Sequence, residues 1–246
     1  MIAYDSQDIS KTFMDFNAAY QKLLDEGLPL ELTIQQIAFN PPTGRAFGVI
    51  FVWSGDDKEE GQRWKEKIAS LGGPVVMDTV VVTTIPEWFS TNAALVASSV
   101  HGSSRTHTVH HITPEVAASI GRSLAKMPSD PVTMFTIHEL RGPSAAPRDD
   151  SVFAMREPHF MLEIMGCVVN EESRQESRQW ISNTWQDIQQ TDSGNILPTV
   201  YISLHPESEE PARLSKFFGP HVEEILALKR KFDPENVFSL AVPELK

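Results

Sequence analysis

The chain has 246 residues, 41% of them hydrophobic and 22% charged, an ordinary balance for a globular protein of one large domain or two small ones. Its formal charge of −12 argues against nucleic acid and anionic membrane surfaces as partners, since both select basic patches. The single cysteine excludes an internal disulfide framework, and no apolar stretch approaches the roughly 20 residues of a membrane span.

Residues 8–26 form the first amphipathic pattern, with Phe13, Phe16, Tyr20, Leu23 and Leu24 on one helical stripe. Gly27 and Pro29 stop it. From Leu30 to Phe39 apolar and polar residues alternate, as in a half-buried strand, and Pro41-Pro42-Thr43-Gly44 turns the chain into a second strand over 46–53. A helix over 56–71 places Trp64, Ile68 and Leu71 inward and closes at Gly72-Gly73-Pro74. Residues 85–98 read as a helix packed around Trp88 and Leu95, and 106–112 as a strand. Thr113-Pro114-Glu115 is a helix start: a capping hydroxyl, proline in the first turn, then an acid.

Two long strands, 132–140 and 159–169, flank a loop over 141–150 rich in Pro, Ser and Ala. A helix over 171–190 buries Ile181, Trp185 and Ile188, a last strand runs over 197–204, and a final helix covers 222–231. These elements imply an α+β fold: one antiparallel-rich sheet with helices packed on one face. The sheet's other face then needs cover, because large contiguous apolar surfaces rarely stay exposed. A homodimer or a separate partner is expected there; the alternative is a more polar, solvated face.

Strand 159–169 is the most informative for chemistry. Alternation sends Phe160, Leu162 and Ile164 to one side and His159, Met161, Glu163 and Met165 to the other. The second set joins a base, a carboxylate and two adaptable thioethers, a combination suited to a pocket for a small apolar substrate. His159 and Glu163 stand ~13 Å apart along a strand, so they would bracket a ligand rather than bond each other. The alternative is that Glu163 pairs with an arginine and His159 sits at a rim. His138 and Glu139 end the preceding strand and point to opposite faces. In His107-Thr108-Val109-His110-His111, strand spacing keeps the rings too far apart to converge on zinc, so no metal site is expected, and His107 remains as a pocket-facing histidine.

The segment Leu228-Lys229-Arg230-Lys231-Phe232-Asp233-Pro234-Glu235-Asn236-Val237-Phe238, with Phe218-Gly219 and Tyr201 upstream, resembles the terminal signature of FAD-linked oxidases of the berberine-bridge-enzyme type. The signature covers residues 217–238, and a looser match extends over nearly all of residues 1–246. The resemblance implies a single substrate-binding domain of the vanillyl-alcohol-oxidase-like fold, with Met1 near the end of the family's flavin domain. It also makes Glu139, just ahead of Gly142, the position most like the family's catalytic glutamate; a salt bridge to Arg141 or Arg156 is the alternative. Tyr201 would line the pocket, whereas Ser203 stands where the family usually has an asparagine.

Family members tether FAD through a histidine after an Arg-Gly-Gly-rich loop, often with a cysteine as well. Here Cys167 lies in an apolar run, His101-Gly102-Ser103-Ser104-Arg105 has another order, and no Gly-x-Gly-x-x-Gly or Walker sequence occurs. The chain alone is therefore expected to bind no cofactor, and FAD only if it comes with a partner chain. The opening Met-Ile-Ala-Tyr-Asp-Ser-Gln-Asp reads as neither signal nor transit peptide, and no Asn-x-Ser/Thr sequon occurs, so a cytoplasmic protein is expected. The leading functional expectation is a flavin-independent cyclisation, pericyclic or isomerisation step on an apolar natural product. His159, Glu139 and Glu163 would be its acid/base candidates, and Met161, Met165, His138, Tyr201 and His107 its substrate contacts. One half of a split oxidoreductase, or a non-catalytic binding protein, are the alternatives.

Overall fold

The computed structural model describes residues 1–93, 100–148, 150–153, 155–204 and 214–238. Among them the strands are β1 (Ile2–Tyr4), β2 (Leu32–Phe39), β3 (Ala46–Trp53), β4 (Val75–Asp78), β5 (Ser104–Val109), β6 (Met134–Leu140), β7 (His159–Met165) and β8 (Ile196–Leu197). They form an eight-stranded sheet in the order β4-β1-β3-β2-β6-β7-β5-β8, every neighbouring pair antiparallel. The helices are α1 (Ile9–Glu26), α2 (Lys58–Ala69), α3 (Ile85–Ala93), α4 (Pro114–Leu124), α5 (Arg174–Gln189), the single turn α6 (Ser215–Phe218) and α7 (Val222–Phe232). This is the expected α+β architecture.

Register decides which residues face the helices. Leu32, Ile34 and Ala38 of β2 lie beside Trp53, Phe51 and Phe47 of β3, while Phe135 and Ile137 of β6 lie beside Ile164 and Leu162 of β7. The helices cover this face. Phe13 of α1 meets Phe47 edge-on with ring centroids 5.4 Å apart, and Phe16 stacks on Tyr20 at 5.7 Å. On the same side, the Tyr4 hydroxyl donates to the Ile68 carbonyl of α2 at 2.8 Å. Each such buried aromatic contributes about 1.5–3 kcal/mol of hydrophobic stabilisation. Gly48 lets β1 approach β3: a Cβ there would stand 2.4 Å from the Ile2 carbonyl oxygen.

Local signals act as expected at several ends. Asp8 accepts from the Lys11 N–H at the start of α1, and Thr113 accepts from the Val116 N–H at the start of α4. Elsewhere the structure differs. β6 and β7 do not reach 132 or 169, because the buried Asp130 carboxylate takes the N–H groups of Val132 and Val169. β5 ends at Val109, since the His110 N–H goes to the Asn195 carbonyl. The expected strand over 197–204 stops at Leu197, where Pro198 has no N–H to extend the ladder, and the chain curls into a 3-10 turn at Ile202–Leu204. The helix expected around Trp88 is α3, but it buries no residue: Trp88 and Phe89 pack on each other at the surface. Leu95 lies outside the described residues.

The C-terminal signature is a clamp. Lys229 Nζ donates to the Asp233 carboxylate and, at 3.2 Å, to the Phe238 carbonyl. Asp233 Oδ1 and Oδ2 accept the N–H groups of Val237 and Phe238 at 2.7 and 3.0 Å. Asn236 adopts φ 55°, the left-handed conformation that asparagine tolerates better than most residues. Phe232, Val237 and Phe238 stay exposed around the clamp.

Candidate functional site

Opposite the helices, the sheet presents Gln35 and Ile37 from β2, Ile50 from β3, Met134, Thr136 and His138 from β6, and Met161, Glu163 and Met165 from β7. Most are apolar and partly buried; the polar ones meet at the centre. Thr136 lies directly across from Glu163, and His138 across from both Met161 and Gln35. The Thr136 hydroxyl donates to Glu163 Oε2 at 3.0 Å, and His138 Nε2 stands 3.1 Å from that oxygen and 3.0 Å from Thr136 Oγ1. Gln35 Nε2 approaches His138 Nε2 at 3.4 Å.

Burial within this cluster is graded. Thr136 is 2% exposed and Glu163 8%, whereas the His138 side chain keeps 38% of its surface open. The carboxylate is therefore held inside, with the imidazole at the solvent side. No described residue hydrogen-bonds His138 Nδ1. An imidazole backed by a carboxylate can take a proton at one nitrogen while the carboxylate balances the charge at the other.

The expected alternation along β7 is observed, with His159, Met161, Glu163 and Met165 on one face. His159 sits across from Leu140 at the strand's end, its Nδ1 2.7 Å from the Glu157 carbonyl, and desolvation pulls its pKa down. His138 and Glu163 were expected on separate strands with no link between them. The register brings them together.

Two of the expected site residues lie on the opposite face. Glu139 points to the helix side, where it accepts from the Tyr20 hydroxyl at 2.6 Å and lies 3.5 Å from Arg141 Nε. Burial pushes its carboxyl pKa up, against the pull of Tyr20 and Arg141. It shares that face with Phe135 and Ile137 and cannot reach a ligand on the open side. His107 also faces the helices: its ring stacks on Trp185 of α5 at 4.7 Å, and its Nε2–H donates to the Trp185 carbonyl at 2.9 Å. Desolvation lowers its pKa to about 4. Tyr201 belongs to no strand and is exposed, but it stays on the open face: its backbone N–H donates to Thr106 Oγ1 at 3.3 Å, and Thr106 lies directly across from Glu163.

Sequence reasoning missed Thr136 and Gln35. Gln35 is paired directly with His138, and Thr136 stands two positions before it on β6, so the signal for Thr136 was its i,i+2 spacing on one strand face. The two described cavities are not on the open face. One, of about 840 Å³, lies between α4 and α5 and is lined by Arg122, Lys126, Glu176, Gln179 and Asp187; the other is a crevice within the core. Among the described residues no three His, Cys, Asp or Glu side chains converge as metal ligands.

At Gly102 (φ 121°) a Cβ would stand 2.3 Å from the Gly166 carbonyl oxygen, and the neighbouring His101 pairs with Val168. That glycine serves the close approach of two backbone segments rather than a phosphate cradle. Gly102 therefore offers no cradle for the pyrophosphate of FAD.

No protein-family model matches the chain. It is similar to the FAD-linked oxidoreductase aurO of Gibberella zeae, with 26% identity over 89% of this chain and 42% of that protein. Among solved structures it resembles GilR, an oxidoreductase of gilvocarcin biosynthesis crystallised with pregilvocarcin (TM-score 0.72, 14% identity, 96% of this chain and 53% of that one). It also resembles xylooligosaccharide oxidase from Myceliophthora thermophila (TM-score 0.70, 14%, 96% and 52%) and the BBE-like 1 protein of Physcomitrella patens (TM-score 0.63, 14%, 96% and 51%). No helix among the described residues is long and apolar enough to cross a membrane. The chain spans about half the length of the relatives it matches, and over that span it has the fold of the berberine-bridge-enzyme-like, FAD-linked oxidoreductases.

Proposed function

We propose that this chain supplies the substrate-facing sheet of an FAD-linked oxidoreductase, with His138 and Glu163 as its proton-handling pair. The observation that carries the reading is the placement of that pair on the sheet face opposite α1, α2, α4 and α5, among Met134, Met161 and Met165. FAD, when bound in such an enzyme, accepts a hydride equivalent. The flavin comes here from a separate domain or polypeptide, which also covers the open face. The substrate is small and largely apolar, and the compartment is the cytoplasm, in keeping with a single cysteine and no disulfide framework.

The residues of this chain do the following. The Thr136 hydroxyl and the His138 Nε2–H both donate to Glu163, fixing the imidazole plane. His138 Nδ1, on the open side, takes a proton from a substrate O–H or C–H, and the resulting imidazolium lies against the Glu163 carboxylate. The methionines offer an adaptable apolar floor. A positioned base of this kind contributes roughly 10²–10⁴-fold to rate.

A second reading is carried by the same pair, because it can move a proton without a redox partner. Returning the proton to another substrate atom would isomerise or cyclise an apolar substrate with no cofactor. In that case a second copy of the chain covers the open face.

One experiment separates the readings. The chain is purified alone and after co-expression with a flavin-domain protein, and each preparation is examined for visible absorbance, oligomeric state and turnover of apolar phenolic and polyketide precursors. A coloured 1:1 complex that oxidises substrate, and loses at least roughly 100-fold in rate on His138→Gln, supports the first reading. A colourless dimer that isomerises substrate supports the second. A stable chain that forms no complex and turns nothing over would overturn both in favour of a binding protein.

A further inference from the structure

We propose that Thr136 is a positioning residue that selects the proton-carrying nitrogen of His138, making Nδ1 the basic atom of the site. The inference rests on the proposed role of the His138–Glu163 pair, and its test does not depend on that role.

The argument is one of donor arithmetic. Around His138 Nε2 stand Glu163 Oε2 at 3.1 Å and Thr136 Oγ1 at 3.0 Å, and these two oxygens are themselves 3.0 Å apart. A threonine hydroxyl has one hydrogen, and an ionised carboxylate has none. The Thr136 hydrogen is spent on Glu163, so the hydroxyl oxygen can only accept from the ring. Both oxygens facing Nε2 are then acceptors, and the hydrogen of the neutral imidazole must sit on Nε2. Nδ1 keeps its lone pair.

Strand geometry makes the triangle rigid. Thr136 and His138 are two apart on β6 and share a face, and Thr136 is paired directly with Glu163 on β7. Thr136 is 2% exposed, so water does not compete for its hydroxyl. The same arithmetic turns the neighbouring amide. A Gln35 NH₂ facing a ring N–H would set donor against donor at 3.4 Å, so the Gln35 oxygen belongs on the His138 side.

Without the Thr136 hydroxyl, Glu163 loses a donor that holds it in the accepting role. A group that donates to Nε2 would reverse the tautomer. Replacing Glu163 by Gln provides an NH₂ that can do the same directly.

The test uses the full chain labelled with ¹⁵N-histidine, and long-range ¹H–¹⁵N spectra that distinguish the two ring nitrogens. His138 is assigned by the signal lost in His138→Gln. Wild type is expected to show one neutral tautomer with hydrogen on Nε2. Thr136→Val should lower the tautomer ratio by at least roughly tenfold, about the effect of one lost hydrogen bond. Thr136→Ser should keep it, and Glu163→Gln should move hydrogen to Nδ1. Hydrogen on Nδ1 in wild type, or an unchanged ratio in a folded Thr136→Val, overturns the assignment. If Thr136→Val does not fold, Thr136→Ala is read in the same way, and an unchanged ratio there overturns the assignment. An absent flavin partner or absent turnover would sink the proposed function without touching this result.

Discussion

Asn17 and Gln36 bond each other twice across the core: the Asn17 amide donates to Gln36 Oε1 at 2.9 Å, and the Gln36 amide returns a bond to Asn17 Oδ1 at 2.9 Å. Both are buried, so this reciprocal pair holds α1 over β2 in one register. It also fixes the strand whose preceding residue, Gln35, faces His138. Gln36→Leu is expected to cost about 1–3 kcal/mol in urea unfolding, since it strands a buried amide, and Asn17→Leu added to it should restore part of the loss. A single substitution with no measurable cost would show that the pair does not hold the register.

Glu139→Gln is expected to leave proton chemistry on the open face intact. The glutamine oxygen can still accept from Tyr20, and only the contact with Arg141 weakens. Turnover within about threefold of wild type, against a loss of roughly 100-fold for His138→Gln, is the expected contrast. Comparable losses from both would put Glu139 back at the site.

The stability of the fold should fall in mild acid because of His107. Its folded pKa, about 4, lies below the ordinary 6.5. Above pH 6.5 both folded and unfolded chains carry a neutral ring; below it the unfolded chain takes up a proton that the folded one refuses. The loss grows from pH 6.5 to about 4 and reaches on the order of 3 kcal/mol. His159, also pulled down by burial, adds a slope of the same sign, whereas the raised pKa of Glu139 opposes it. Denaturant unfolding between pH 4 and 7 checks this, and His107→Phe should flatten the curve. An equally steep curve in that variant would remove His107 as the cause.

At the C-terminus, Lys229→Met should release the clamp. Lys229 and the Val237 and Phe238 N–H groups hold the Asp233 carboxyl below its usual pKa. The expected result is faster hydrogen exchange at Val237 and Phe238, with little change in β6 and β7. Unchanged exchange at those two amides would mean that the ion pair is dispensable.

The long periodic elements were legible because helix and strand repeats show directly which face is apolar. α1, β3, α4 and α7 follow their patterns closely. β1 has only three residues, too few for a period, and it exists because Gly48 admits it. The strand expected over 197–204 fails at Pro198, whose missing N–H cannot extend the ladder. At the site, alternation correctly grouped His159, Met161, Glu163 and Met165, but it says nothing about which strand lies alongside or in what register. The meeting of His138 with Glu163 is a register fact. Glu139 is different: Phe135 and Ile137 share its parity, so its helix-facing position was readable. The likeness to a glutamate ahead of a glycine turn outweighed that signal.

The clamp that ties Lys229 to Asp233 also explains why the tail is so recognisable. One carboxylate, that of Asp233, gathers the Lys229 ammonium and the Val237 and Phe238 N–H groups, so the clamp closes within nine positions of chain and needs nothing from the sheet. Such an ending works like a maker's stamp: it can outlast any change of trade, and chains gathered by it alone will share a silhouette before they share a reaction.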